Sequence, residues 1–144
     1  MNTSSLELRW RGRPGGGGRT ERRYLDFVVD GISLYDRLGV GDQVTALGCW
    51  SVDSERAYIQ QLLSPSGRVP LYVCAECGDL GCGAVTALVE RTGEGFVWRD
   101  FAFENNYDAA TTDSDSYRAI GPFMFNKTEY WQVLNERAAT LSVT

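Results

Sequence analysis

The chain contains no histidine and a single lysine, Lys127. Without an imidazole it can build no Ser-His-Asp or Cys-His nucleophilic centre and no His-ligated zinc site, and it lacks the usual proton shuttle near neutral pH. It has no Gly-rich loop followed by Lys-Ser/Thr, no nucleophile elbow and no dinucleotide fingerprint. General kinase, hydrolase and dehydrogenase chemistry is therefore not expected. No stretch approaches the roughly 18–20 apolar residues that cross a bilayer, so no membrane partner is expected. The first thirteen residues carry Arg9, Arg11 and Arg13 around scattered apolar positions, without an unbroken apolar core of a secretory leader. The expected compartment is the cytoplasm, where thiols stay reduced. No internal repeat is visible.

What is present is a globular composition of 144 residues, 43% hydrophobic and 23% charged, enough to bury a core without disulfide staples. The net charge of −5 is unevenly spread: residues 1–23 carry +4 and the remainder −9. An acidic body argues against broad nucleic-acid binding, which needs a basic footprint. The basic arm with Arg9, Arg11 and Arg13 is the part that can meet nucleic acid or an acidic protein surface.

Leu6, Leu8 and Trp10 alternate with charged residues at the period of a half-buried strand. A second strand is expected over 23–29, with the glycine-rich stretch 12–20 as a flexible hairpin loop between the two. Asp30-Gly31 marks a turn. A short helix is expected over 32–38 and a longer one over 53–63, capped by Asp53 or Ser54. Three successive strands follow over 71–74, 84–91 and 96–104. Phe96 and Trp98 share one parity while Phe101 and Phe103 share the other, which predicts a β-bulge at Arg99-Asp100. Residues 105–118 read as a polar loop, 122–125 as a short strand and 127–138 as a helix capped by Asn126. The pattern predicts one α+β domain over 1–144: a mixed, mostly antiparallel sheet of about five to six strands, about three helices and a Cys-bearing β-hairpin.

Three of the four cysteines fall within nine residues, in Cys74-Ala-Glu-Cys77-Gly78-Asp79-Leu-Gly81-Cys82-Gly83. A Cys-x-x-Cys-Gly step lets two thiolates approach one ion while glycine supplies a left-handed backbone. Between two strands this is the form of a zinc knuckle, and Cys82 supplies a third thiolate. Cys49, Asp79 or Glu76 can complete a four-ligand Zn2+ site. Two other readings stay open: redox-active thiols, or small apolar fillers of a tight hairpin. Glu76 and Asp79, with no basic residue in the loop, are expected to raise the thiol pKa values.

Together with Val97-Trp98-x-Asp100-Phe101, Gly121-Pro122-Phe123 and Phe27-x-x-Asp30-Gly31-x-x-Leu34, the Cys-x-x-Cys-Gly-Asp-x-x-Cys-Gly hairpin resembles a family of small, largely uncharacterised bacterial proteins, over roughly 110 residues. That resemblance implies no particular activity. In the family pattern the position of Cys49 is not reliably cysteine, which speaks against it as a ligand.

The remaining candidates are an acidic run, Asp100, Glu104, Asp108, Asp113 and Asp115, able to meet a cation or basic partner but without EF-hand spacing. By elimination the chain reads as a small protein-binding module, of immunity or accessory type, whose Cys hairpin is stiffened by zinc and whose partner is another protein. The alternatives are a thiol-dependent redox or sulfur-transfer enzyme using the same hairpin and, third, a zinc-ribbon-like nucleic-acid binder.

Overall fold

The computed structural model describes residues 3–78, 82–105 and 113–141. It shows an α+β fold with two antiparallel sheets. The first has the order β1-β2-β3, formed by Leu6–Arg13, Arg22–Val29 and Ile32–Ser33. The second has the order β4-β5-β6-β7-β8, formed by Gln43–Val44, Gly67–Cys74, Ala84–Arg91, Gly95–Glu104 and Phe123–Asn126. Three α-helices accompany them: α1 Leu34–Leu38, α2 Val52–Leu63 and α3 Lys127–Leu141. The strands thus divide between two sheets where one was expected. The sheets meet at Ser4, whose N–H reaches Met124 O at 2.6 Å as a parallel bridge to Phe125.

The local rules account for most boundaries. Strand β2 is buried from Tyr24 through Val29 because both of its faces are covered. The segment 32–38 is only partly helical: Ile32 and Ser33 pair with β2, and Ser33 Oγ then caps α1 through Asp36 N at 3.2 Å. The cap of α2 is Ser51, accepting from Ser54 N at 3.2 Å, rather than Asp53 or Ser54. Asn126 Oδ1 caps α3, taking Thr128 N at 2.9 Å and Glu129 N at 3.1 Å. The expected bulge is present in β7. Thr86 faces Ala102 but Leu88 faces Arg99, and Asp100 absorbs the extra residue at φ 53.

The core is aromatic. Trp98, fully buried, packs edge-on against Phe27 and Phe125 at centroid distances of 5.2 and 5.0 Å. Its indole N–H donates to Tyr130 OH, which donates in turn to Leu62 O, so the polar ends of both rings are satisfied without water. Among the described residues no helix is long and apolar enough to cross a membrane.

Candidate metal centre

Cys74 ends β5, Cys82 lies two residues before β6, and the chain between them reverses direction. The Gly78 N–H returns to Cys74 O at 2.9 Å, and Gly78 takes φ 67. A side chain there would be strained, and its Cβ would also press on the Trp50 ring at 3.1 Å. Gly83 is more constrained: at φ 101, a Cβ would overlap the Phe103 ring at 2.4 Å. The glycine after Cys77 and the glycine after Cys82 are therefore both required by the turn that gathers the thiols.

The Sγ atoms of Cys74, Cys77 and Cys82 all lie within 4.8 Å of one another, and Cys77 and Cys82 stand 3.0 Å apart. Partial burial pushes the Cys74 thiol up. Backbone N–H groups of Cys77 and Glu76, with the Cys77 and Cys82 thiols, outweigh that and bring it below its ordinary value. Cys82 is pushed up to about 11, first by its hydrogen bond to Cys77 and then by desolvation. Backbone N–H groups, desolvation and the contacts among the three sulfurs set these shifts.

Glu76 is turned away from the sulfurs. One oxygen takes Arg13 Nη1 at 2.6 Å and Thr20 N at 2.9 Å, and the other takes Thr20 Oγ1 at 2.7 Å. These donors, the Thr20 N–H and hydroxyl first, bring Glu76 down to about 2. It is a clasp between the cysteine turn and the β1–β2 hairpin, and it does not face the thiols as a ligand. Cys49 also lies apart: its Sγ contacts Thr45 O at 3.8 Å, and it is not among the clustered thiols. Burial pushes it up to about 11. Asp79 lies outside the described residues, as does Asp108.

Three further side chains position the turn, and no sequence pattern marks them. Arg22 donates to Ala75 O at 2.8 Å and to Cys49 O at 3.2 Å while its guanidinium lies 4.4 Å from the Trp50 ring centroid. Trp50 covers Gly78 and donates its indole N–H to Thr45 O at 3.0 Å. Gln43, paired with Cys74 across β4–β5, donates to Gly83 O at 3.1 Å, so one residue ties both ends of the cysteine turn. Its buried Oε1 has no partner among the described residues.

The other sequence candidates are engaged internally. Arg13, 7% exposed, is paired with Asp42 at 3.0 Å and with Glu76. Arg11 pairs with Asp36 at 2.9 Å and stacks 4.0 Å from the Tyr35 ring centroid. Arg9 pairs with Glu7 on the surface at 3.1 Å. The basic arm is thus a strand whose charges are largely neutralised by its own fold. Asp100 pairs with Arg99, and Glu104 pairs with Arg68 at 2.6 Å and accepts from Thr86 at 2.9 Å. Both line a cleft of about 720 Å³ with Arg118 and Pro122. Asp113 caps its own turn through Ser116 Oγ at 2.6 Å and Asp115 pairs with Arg118, so the acidic run forms no cation cluster among the described residues.

The Glu76 clasp has a pH signature. Its folded pKa is depressed, so its contribution is complete above the unfolded carboxyl value of about 4.3 and is lost as pH falls through about 2. Between those values, hydrogen exchange at the Thr20 amide should accelerate as pH falls, after correction for the intrinsic rate. In Glu76→Gln that added pH dependence should be absent.

Compared with known proteins, the chain matches no family model, no curated protein and no solved structure.

The donor set fits a thiolate-binding metal ion. Zinc–sulfur bonds of about 2.3 Å at tetrahedral angles put thiolates roughly 3.8 Å apart. Cys77 and Cys82 need to spread by less than about 1 Å to reach that spacing, and both are exposed. Three close cysteines that can bind a metal ion are therefore present in the fold.

Proposed function

We propose that this chain is a small protein-binding module whose cysteine hairpin is fixed by one zinc ion held by Cys74, Cys77 and Cys82. The observation that carries the metal part is the knuckle itself. Backbone N–H groups of Glu76 and Cys77 point at Cys74 Sγ, and Gly78 turns the chain so that Cys77 and Cys82 converge on it. N–H groups directed at sulfur favour the thiolate, the form that binds metal. Three soft thiolates select zinc or another thiophilic ion over magnesium or calcium. The ion would do structural work, since the same turn is clasped by Arg13, Thr20, Arg22 and Gln43. It would fix the N-terminal hairpin relative to the second sheet.

The binding part follows from the acidic body, the missing imidazole and large apolar side chains left in solvent, Trp131 at 57% and Trp10 at 47% exposure. An immunity or accessory role, masking or escorting another protein, is the form that fits these features. The resemblance to small bacterial proteins with the same cysteine hairpin is compatible with that role. The nucleic-acid alternative loses support because Arg11 and Arg13 are internally paired.

One observation favours the thiol-chemistry reading, the 3.0 Å approach of Cys77 to Cys82. Metal analysis of protein purified without added zinc separates the two readings. One zinc per chain, exchangeable for cadmium with the ultraviolet absorbance of thiolate-to-metal charge transfer, is expected. Metal-free protein that turns over a disulfide substrate would reject the module in favour of the enzyme.

A further inference from the structure

We propose that Cys77 and Cys82 form an oxidation site for hydroperoxides, closing a disulfide between them that leaves Cys74 out and dismantles the three-thiolate cluster. The metal-release part of this inference rests on the zinc reading above, whereas the disulfide does not. The two sulfurs are 3.0 Å apart, and a disulfide bond is about 2.05 Å, so closure needs a shift of about 1 Å. Both residues are exposed, which admits a small peroxide from solvent. Cys77 and Cys82 are five residues apart, and the glycine that follows each of them, Gly78 and Gly83, is already at positive φ.

The other two cysteines are held differently. Cys74 is half-buried at the end of β5, and its sulfur accepts backbone N–H groups from Cys77 and Glu76. Cys49 is half-buried, packed beside Tyr24, Val44 and Ala75, with its sulfur on Thr45 O. The fold thus separates two reachable, adjacent thiols from one anchored thiol and one remote thiol.

The chemistry balances with peroxide as the oxidant. One thiolate of the pair attacks a peroxide oxygen, the O–O bond breaks, and a sulfenic acid and hydroxide form. The second thiolate attacks that sulfur, the S–S bond forms and hydroxide leaves. Two electrons pass from the two sulfurs to peroxide, and two protons, from the thiols or from solvent, complete two waters. A disulfide no longer offers two thiolates, so a metal held by all three cysteines loses most of its donors.

The test uses the full chain as purified, exposed to a small excess of hydrogen peroxide and followed by intact mass, disulfide mapping and a chromogenic zinc chelator. The expected product is about 2 Da lighter with a Cys77–Cys82 bond, and zinc appears in step with it. Cys74→Ser should still lose about 2 Da, whereas Cys77→Ser and Cys82→Ser should not and should instead gain oxygen in steps of about 16 Da. A Cys74–Cys77 or Cys74–Cys82 bond in the wild type would overturn the assignment, as would closure that survives loss of Cys77. Protein isolated without zinc that still closes Cys77–Cys82 supports this site and rejects the metal reading. Zinc-loaded protein that oxidises only to sulfinic acids keeps the metal reading and rejects this site.

Discussion

Replacing Cys74, Cys77 or Cys82 with serine is expected to abolish stoichiometric zinc binding in each case and to lower the melting temperature by a similar amount. Each side chain is one corner of a single site, so loss of any one removes a thiolate from the same ion. The size of the effect follows from linkage. Zinc present at a hundred times its dissociation constant stabilises the folded state by about 2.7 kcal/mol. For a chain of this length that corresponds to a fall on the order of 10 °C. Cys49→Ser is the control. Its sulfur lies among Tyr24, Val44 and Ala75 and outside the thiol cluster. Zinc content should be unchanged, with only the roughly 1–2 kcal/mol cost of placing a hydroxyl in a small apolar site. Calorimetry with and without chelator decides the matter. If the three cluster variants melt alike whether or not chelator is present, and so does the wild type, the ion has no structural role. Retention of a full equivalent of zinc by Cys74→Ser would remove that residue from the site.

The three thiols of this site were legible because Cys-x-x-Cys-Gly states both the donors and the backbone conformation that joins them. The rest of the site was not, for a physical reason. Glu76 sits in the same loop and has the chemistry of a ligand, so sequence spacing offers it to the metal. Arg13 and Thr20, 63 and 56 residues away, take its oxygens instead. Likewise Arg9, Arg11 and Arg13 read as a basic arm because local sequence counts charges without showing their partners. Asp36 and Asp42, which neutralise Arg11 and Arg13, come close only when the first sheet folds over α1 and the turn before β4. Trp50 and Gln43 carry no local signal at all. Their role depends on a ring lying over Gly78 and an amide reaching Gly83 O.

The fold was more legible where period and punctuation agreed. The parity change between Trp98 and Phe101 located the bulge, because side chains of a strand must alternate faces and only an extra residue resets the phase. Asn126 located the start of α3 because its carboxamide satisfies two amide donors that a helix leaves unpaired. The division into two sheets was not legible. Periodicity shows which residues form strands but not which strands pair, and β3 and β4, each two residues long, are too short for a period of two to register. The cap of α2 was misplaced by a few residues because Ser51, Asp53 and Ser54 are all competent caps.

Arg137→Ala is expected to cost about 3–5 kcal/mol, because it strands a buried carboxylate. Glu55 lies in the first turn of α2 and is 1% exposed. Its oxygens take Arg137 Nε at 2.6 Å and Nη2 at 3.1 Å, and Oε1 also takes Gly48 N at 2.8 Å. The fork of the guanidinium thus joins α3 to α2, and through Gly48 to the loop that leads into it. With Arg137 truncated, Glu55 keeps a single amide donor, from Gly48, in a buried site. A second change should recover stability at neutral pH. In Glu55→Gln/Arg137→Met the charge is gone and the volume is retained, so the pair should lie closer to wild type than Arg137→Ala alone. Urea unfolding of the wild type and both variants at neutral pH provides the measurement. A loss below about 1 kcal/mol for Arg137→Ala would mean that water or another donor reaches Glu55 and that the bridge does not hold α3 against α2.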